Sequence, residues 1–179
     1  VLHVQQSSDN TVTLSQEQFF VGNHRDSTTQ WQIPLNASST SVLDTLTERA
    51  TRITVQPDET IRMNINSVSH YVTHYDPVLL SRIVAKINDT SCTPLDRVQL
   101  LSEQMLLARS GVTSTSSLIE LLGSYAHETE ESVWTMISLT INELKRFTEN
   151  DITAQKQLKS FARSIAIDQY NYLGWVPVA

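Results

Sequence analysis

The sequence predicts an α+β chain in two parts: an antiparallel β-sandwich over residues 1–76, then an all-α stack of antiparallel helical hairpins over residues 77–179. Three observations predict it. Apolar residues alternate with polar ones before residue 76 and recur at spacings of three and four after it. Clusters of turn-forming residues interrupt the first part, with no helical segment between the alternating runs. Capping residues mark the helix starts of the second part. A hydrophobic content of 40 % with 18 % charged residues leaves enough apolar surface for a core.

Taken in order, Val12, Leu14, Gln16, Gln18 and Phe20 share one parity, Trp31, Ile33 and Leu35 form a second set, and Ile61, Met63 and Ile65 a third. Period two is the mark of a strand with one buried face. Turn chemistry separates the sets at Ser7-Ser8-Asp9-Asn10, Gly22-Asn23-His24-Arg25-Asp26, Asn36-Ala37-Ser38-Ser39 and Gln56-Pro57-Asp58. The first helix opens with Asp76 as N-cap and Pro77 at its first position, and carries Leu79, Ile83 and Ile87. The second repeats the device at Thr93-Pro94-Leu95-Asp96, with Thr93 and Asp96 as a reciprocal capping box. It turns Leu95, Val98, Leu101, Met105 and Ala108 inward and stops at Gly111. A third helix runs from Thr113 or Ser114 to Tyr125, and a fourth carries Val133, Trp134, Ile137, Ile141 and Leu144. The last begins near Asp151, carries Leu158, Phe161, Ala162, Ile165, Ala166 and Leu173 inward, and ends at Gly174. Helices joined by short loops stack as antiparallel hairpins.

Composition excludes several functions. A net charge of −6 supplies no dense basic face for nucleic acid or an anionic membrane. No apolar run approaches the roughly 18 residues of a membrane-spanning helix. Cys92 is the only cysteine, which excludes an internal disulfide and a cysteine-rich zinc site and fits a reduced, cytoplasmic setting. It reads as a small residue in a turn before Thr93-Pro94. The sequons Asn36-Ala37-Ser38 and Asn88-Asp89-Thr90 are short motifs expected by chance in a chain rich in serine and threonine. The start, Val1-Leu2-His3-Val4-Gln5, is not a signal peptide and has no initiator methionine; with the end at Trp175-Val176-Pro177-Val178-Ala179, it reads as a piece of something longer.

Candidate chemistry is sparse. In His127-Glu128-Thr129-Glu130-Glu131 the second imidazole of a His-Glu-x-x-His zinc helix is replaced by Glu131. Glu128, Glu130 and Glu131 read instead as an acidic helix start, where the dipole favours negative charge. His70 and His74 share a face of a strand but lie about 13 Å apart at a rise near 3.3 Å per residue, too far for one metal, and read as surface or rim residues. The five histidines, His3, His24, His70, His74 and His127, are scattered. There is no Gly-x-Ser-x-Gly elbow and no glycine-rich phosphate loop. Trp31, Trp134 and Trp175 read as core anchors in separate elements. Arg97 is free to pair with a neighbouring acid or to meet a substrate. No catalytic, cofactor-binding or metal-binding residue is assigned.

Several short segments occur in an order that resembles the post-catalytic region of the aminopeptidase N and puromycin-sensitive type of zinc metallopeptidases. They are Gln18-Phe19-Phe20, Trp31-Gln32-Ile33-Pro34-Leu35, Met63-Asn64 and Tyr71 through Tyr75-Asp76 in the first part. Thr93-Pro94-Leu95-Asp96-Arg97, Leu100-Leu101-Ser102-Glu103, Leu107-Ala108-Arg109-Ser110-Gly111, Glu128 followed by Val133-Trp134, and Tyr172-Leu173-Gly174-Trp175 follow in the second. The resemblance runs from about residue 12 to 175. Ser69-His70-Tyr71-Val72-Thr73-His74-Tyr75 replaces the family's glycine and Tyr-Arg pattern, and Ser102-Glu103 stands where paired acids are common.

The resemblance implies the non-catalytic C-terminal portion of a zinc aminopeptidase that removes N-terminal residues from peptides. It implies a spacer sandwich, a helical cover over the peptide chamber, and partners in an upstream catalytic domain of the same polypeptide and its peptide substrates. The family's zinc motif and its substrate-anchoring Gly-x-Met-x-Asn are not in this chain, so no cofactor is expected here and zinc is expected upstream. The alternative is a stand-alone helical module that binds a protein or peptide without a catalytic role.

Overall fold

In the computed structural model, which describes residues 1–7, 10–22, 27–88 and 91–174, strands occupy the first part and five helices the second. The turn positions Ser8, Asp9 and Asn23 to Asp26, the sequon residues Asp89 and Thr90, His24 and Trp175 lie outside the described residues.

A four-stranded sheet runs in the order β5-β2-β1-β6, from β1 (Leu2–Gln6), β2 (Thr11–Gln16), β5 (Ala50–Thr54) and β6 (Thr73–Tyr75). The alternation read for residues 12 to 16 places Val12, Leu14 and Gln16 on the buried face. The buried Gln16 amide is satisfied by backbone: its Nε2 donates to the carbonyls of Trp31 and Glu48 at 2.9 and 3.0 Å, and its Oε1 accepts from the Trp31 N–H at 2.8 Å. β3 (Ile33–Pro34) and β4 (Thr45–Leu46) form a separate two-stranded ribbon.

Three sequence expectations change here. The sheet is mixed, because β6 joins β1 in parallel while β2 pairs antiparallel with both β1 and β5. Ile61, Met63 and Ile65 form no strand beyond a bridge from Met63 to Ala37. Asn64 and Asn66 adopt left-handed φ of 56° and 61°, which ends extended backbone, and a short 3-10 turn, Ile65–Ser67, follows. Asn64 holds that loop shut, with its side chain bonded to both the carbonyl and the N–H of Ser69 at 2.8 Å. Trp31 is 42 % exposed and anchors no core.

The helices are α1 (Pro77–Asn88), α2 (Pro94–Ser110), α3 (Thr115–Gly123), α4 (Glu131–Phe147) and α5 (Ile152–Leu173). Their caps follow the local chemistry. Asp76 Oδ1 accepts the N–H groups of Val78 and Leu79 at 2.8 and 2.9 Å, while its other oxygen takes the N–H of Gln6 at the end of β1. Thr93 and Asp96 form the reciprocal box, Ser114 and Asp151 cap α3 and α5, and Gly111 ends α2 at φ 81°. Leu95 and Leu173 depart from the inward stripes and stand 46 % and 66 % exposed, each in a terminal turn where the next layer no longer reaches.

One buried apolar cluster runs through both parts, from Leu2, Val4 and Leu14 of the sheet through Leu79 and Ile83 of α1 and Leu101 of α2 to Ile137 and Leu144 of α4 and Ile165 of α5. The chain reverses no polarity at residue 76: the sheet and the first helices share a core.

Candidate functional site

Helix α2 is the hub of two polar joints. Its N-terminal turn begins at the Thr93 cap, so Asp96 is held by the box and its Oδ2 also meets Arg62 Nη1 at 2.6 Å. Burial works to raise the Asp96 carboxyl, but Arg62 and the Thr93 groups outweigh it and hold it below the usual range. Arg62 reaches Cys92 Sγ as well, at 3.4 Å, which places the lone buried thiol as a packed neighbour of the pair. Beside them is a 20 Å3 space, room for one water-sized group, between Arg62, Tyr75, Asp96, Gln99 and Glu103.

Two turns further along, Glu103 lies under edge strand β6, 6 % exposed. Gln99 Nε2 donates to its Oε1 at 3.1 Å. The N–H and hydroxyl of Thr73 face it, the hydroxyl without the alignment of a full hydrogen bond. Burial pushes the carboxyl up to about 7, against the opposing pull of Gln99 and Thr73. The phenols nearby are raised too, Tyr71 to about 12 and Tyr75 further, by burial first and by the Glu103 charge second for Tyr75. Tyr75 Oη accepts the N–H of Met63 at 2.8 Å, which ties β6 to the loop before it. The group is therefore able to hold or release one proton near neutrality, beside the small space that the Cys92 thiol also lines.

The second joint links α2 to the start of α4. Arg97 lays its guanidinium on Glu128 in a bidentate contact, Nε to Oε2 at 2.7 Å and Nη2 to Oε1 at 3.0 Å, and its Nη1 donates to the Cys92 carbonyl at 2.6 Å. Tyr125 Oη donates to the Arg97 carbonyl at 2.9 Å and Trp134 Nε1 to the Glu128 carbonyl at 2.9 Å. Burial works to raise Glu128, but Arg97 and the N–H groups of Glu130 and Thr129 hold it below the usual carboxylate range. This corrects the acidic-helix-start expectation: Glu130 is the N-cap and Glu131 begins the helix, whereas Glu128 precedes both and is a buried ion-pair partner.

The histidines do not converge on a metal. His127 is exposed, with Nδ1 3.4 Å from Asp168 of α5. His70 is exposed outside any strand. His74 is half-buried rather than a rim residue, because parallel pairing of β6 with β1 sets it opposite His3, Nδ1 to Nδ1 at 2.9 Å with the rings edge to face. Burial lowers the His74 pKa, helped by His3 and opposed by Glu17 and Asp76. Among the described residues no three His, Cys, Asp or Glu side chains gather as a metal site. Asn36, the first sequon asparagine, donates its amide to the Ile65 carbonyl at 2.7 Å, so the nitrogen a glycan would take is engaged in the fold. No helix among the described residues is long and apolar enough to cross a membrane.

Sequence reasoning found the Thr93 box and the free Arg97 but missed Glu103 as a titrating group. The signal was there: Glu103 and Gln104 lie on the same stripe of α2 as Leu100, Leu101, Leu107 and Ala108, all buried.

Comparison with known proteins agrees in order and extent. The family described as ERAP1-like C-terminal domain matches residues 61–179. Aminopeptidase N of Lactococcus lactis subsp. cremoris (strain MG1363) is 30 % identical over 178 residues, covering 96 % of this chain and 21 % of the relative. Aminopeptidase N of Lactobacillus helveticus is 31 % identical over 176 residues, covering 94 % and 20 %. The puromycin-sensitive aminopeptidase of Caenorhabditis elegans is 26 % identical over 175 residues, covering 88 % and 18 %. The chain thus spans about a fifth of the length of these curated relatives. With two-thirds of its residues matched, the buried α2 joints included, the chain belongs to the ERAP1-like C-terminal domain family, in the region that corresponds to part of aminopeptidase N.

Proposed function

We propose that this chain is the non-catalytic C-terminal portion of a zinc aminopeptidase that removes N-terminal residues from peptides, with its catalytic domain upstream in the same cytoplasmic polypeptide. The observation that carries the reading is the colinear similarity to aminopeptidase N over 96 % of the chain. The strand part, residues 1–76, serves as a spacer, and the helical part, residues 77–179, covers the peptide chamber. The continuous core from Leu2 to Ile165 supports that pair of roles, because a cover set on a shared core keeps a fixed angle to its spacer. The Arg97–Glu128 contact supports it again by fixing α4 on α2. A fixed cover limits access and water at a reacting centre, which favours catalysis there.

Among the described residues the donor set does not fit a catalytic zinc, which takes three protein ligands and a water. His127 meets Asp168, and His3 and His74 turn the same ring nitrogens toward each other. No step is therefore routed through these residues, and the zinc belongs to the upstream domain. The test is metal analysis and an aminopeptidase assay of the chain beside the full-length polypeptide. Turnover only in the full-length polypeptide supports the reading. Zinc near one equivalent in the chain, with turnover abolished by His127→Ala, overturns it, and inactivity of both favours the stand-alone binding module.

A further inference from the structure

A groove of about 740 Å3 runs between the C-terminal half of α4 and the N-terminal half of α5, within the usual range of ligand clefts. Its floor is apolar, formed by Ile141, the buried Leu158 and Ala162. Its banks are basic. Lys145 and Arg146 stand on the α4 side, Lys159 and Arg163 on the α5 side, and Glu149 is the one acid among the lining residues. Four cations gathered on one groove are unusual in a chain whose net charge is −6.

Two of these cations are already engaged in part: Arg146 lies 3.4 Å from Glu143, and Lys145 Nζ donates to Asn142 at 2.9 Å. Lys159 and Arg163 make no ion pair among the described residues. They are four positions apart on one helix, so about 6 Å separates them along the axis. An extended peptide repeats its same-side residues at about 6.6 Å. From this match of charge and spacing, with the apolar floor beneath, we propose that the α4–α5 groove binds an extended acidic peptide segment carrying carboxylates two residues apart. The groove spans about 12 Å from Gln155 to Arg163, enough for three or four extended residues.

Other polyanions fit less well. Single-stranded nucleic acid is held by long basic tracks interleaved with stacking aromatics, and no aromatic lines this groove. A membrane surface takes a convex amphipathic helix rather than a cleft. The inference goes beyond the aminopeptidase reading and does not depend on it.

The experiment is fluorescence anisotropy of labelled acetyl-Glu-Leu-Glu-Leu-amide with the purified 179-residue chain, its helix content checked by circular dichroism. Expected are saturable binding that weakens as salt is raised, no binding of the Gln-Leu-Gln-Leu counterpart, and about a tenfold or greater loss of affinity in the Lys159→Glu, Arg163→Glu double variant. Lys156→Glu, an exposed charge reversal on α5 outside the groove lining, should leave affinity within about twofold. Absent saturable binding, equal binding of the glutamine peptide, or unchanged affinity in the double variant overturns the proposal. Tighter capture of single-stranded RNA or phosphatidylserine vesicles through Lys159 and Arg163 overturns the choice of peptide.

Discussion

Glu103 and Glu128 are almost equally closed to solvent, 6 % and 7 % exposed, at the two joints of helix α2, with Glu103 set the more deeply in the protein, and their acid chemistry moves in opposite directions. Both pay desolvation. Glu128 recovers it from the bidentate Arg97 and from the N–H groups of Thr129 and Glu130. Among the described residues Glu103 meets the neutral Gln99 amide and the Thr73 edge of β6, so burial prevails and its carboxyl rises to about 7. Burial sets the penalty for a charge, and the partner decides whether the charge survives.

The largest effect that tests this contrast is Arg97→Met. It leaves Glu128 buried without its cation, and folding stability should fall by about 3–5 kcal/mol in urea denaturation. Adding Glu128→Gln to that variant should restore much of the loss, because the stranded charge goes with it. A fall below about 1 kcal/mol in the single variant would put Glu128 in the class of surface pairs.

Next in size is the pH dependence of the Glu103 joint. The folded carboxyl titrates at about 7 against 4.5 for an unperturbed glutamate, so the folded chain holds this proton more tightly than the unfolded chain. The stability this contributes is complete below about pH 4.5 and is lost as pH rises toward and through 7, a swing of about 3 kcal/mol. Glu128 and Asp96 work the other way, losing their contributions as pH falls through their lowered folded values. His74, also lowered, weakens the fold as pH drops below its unfolded value. Subtracting the pH profile of Glu103→Gln from that of the parent isolates the contribution of this carboxyl, which declines between about pH 5 and 8, below the range in which the raised phenols titrate. A flat difference between pH 5 and 8 would show that Glu103 is ionised in the fold throughout.

The smallest effect concerns the cap on which both joints hang. Thr93→Ala removes the side-chain oxygen that accepts the Asp96 N–H at 3.2 Å and should cost about 1 kcal/mol. Asp96 keeps Arg62 at 2.6 Å, so the loss should stay near that figure. An unchanged denaturation midpoint would show that the Arg62 contact alone sets the start of α2.

How much of this was legible before the structure depends on the range over which each signal acts. Asp76-Pro77, Thr93-Pro94-Leu95-Asp96, Ser114, Asp151 and Gly111 could be read from residues, because a cap is settled within about four positions of chain. Arg97 could be read as available, but its partner stands 31 residues away. Glu103 could be seen on an inward stripe, yet only β6 packing over α2 shows that it meets Thr73 and the Gln99 amide there.

The sequence by itself determined the α+β class, the change of period at residue 76, the capped starts of α1, α2, α3 and α5 and most of the inward stripes, since these rest on backbone sterics and on the repeat of side-chain direction along one element. Tertiary structure alone decided the parallel docking of β6 on β1, and with it the contact of His3 and His74 across 71 residues. It decided too that Ile61, Met63 and Ile65 lie along a loop turned by the left-handed Asn64 and Asn66 rather than in a strand, that Trp31 stays exposed, and that the basic residues of α4 and α5 share a groove. The physical reason is common to all of these. They depend on which surfaces meet after the chain has collapsed, and a local pattern carries the direction of a side chain but not the identity of what it will touch.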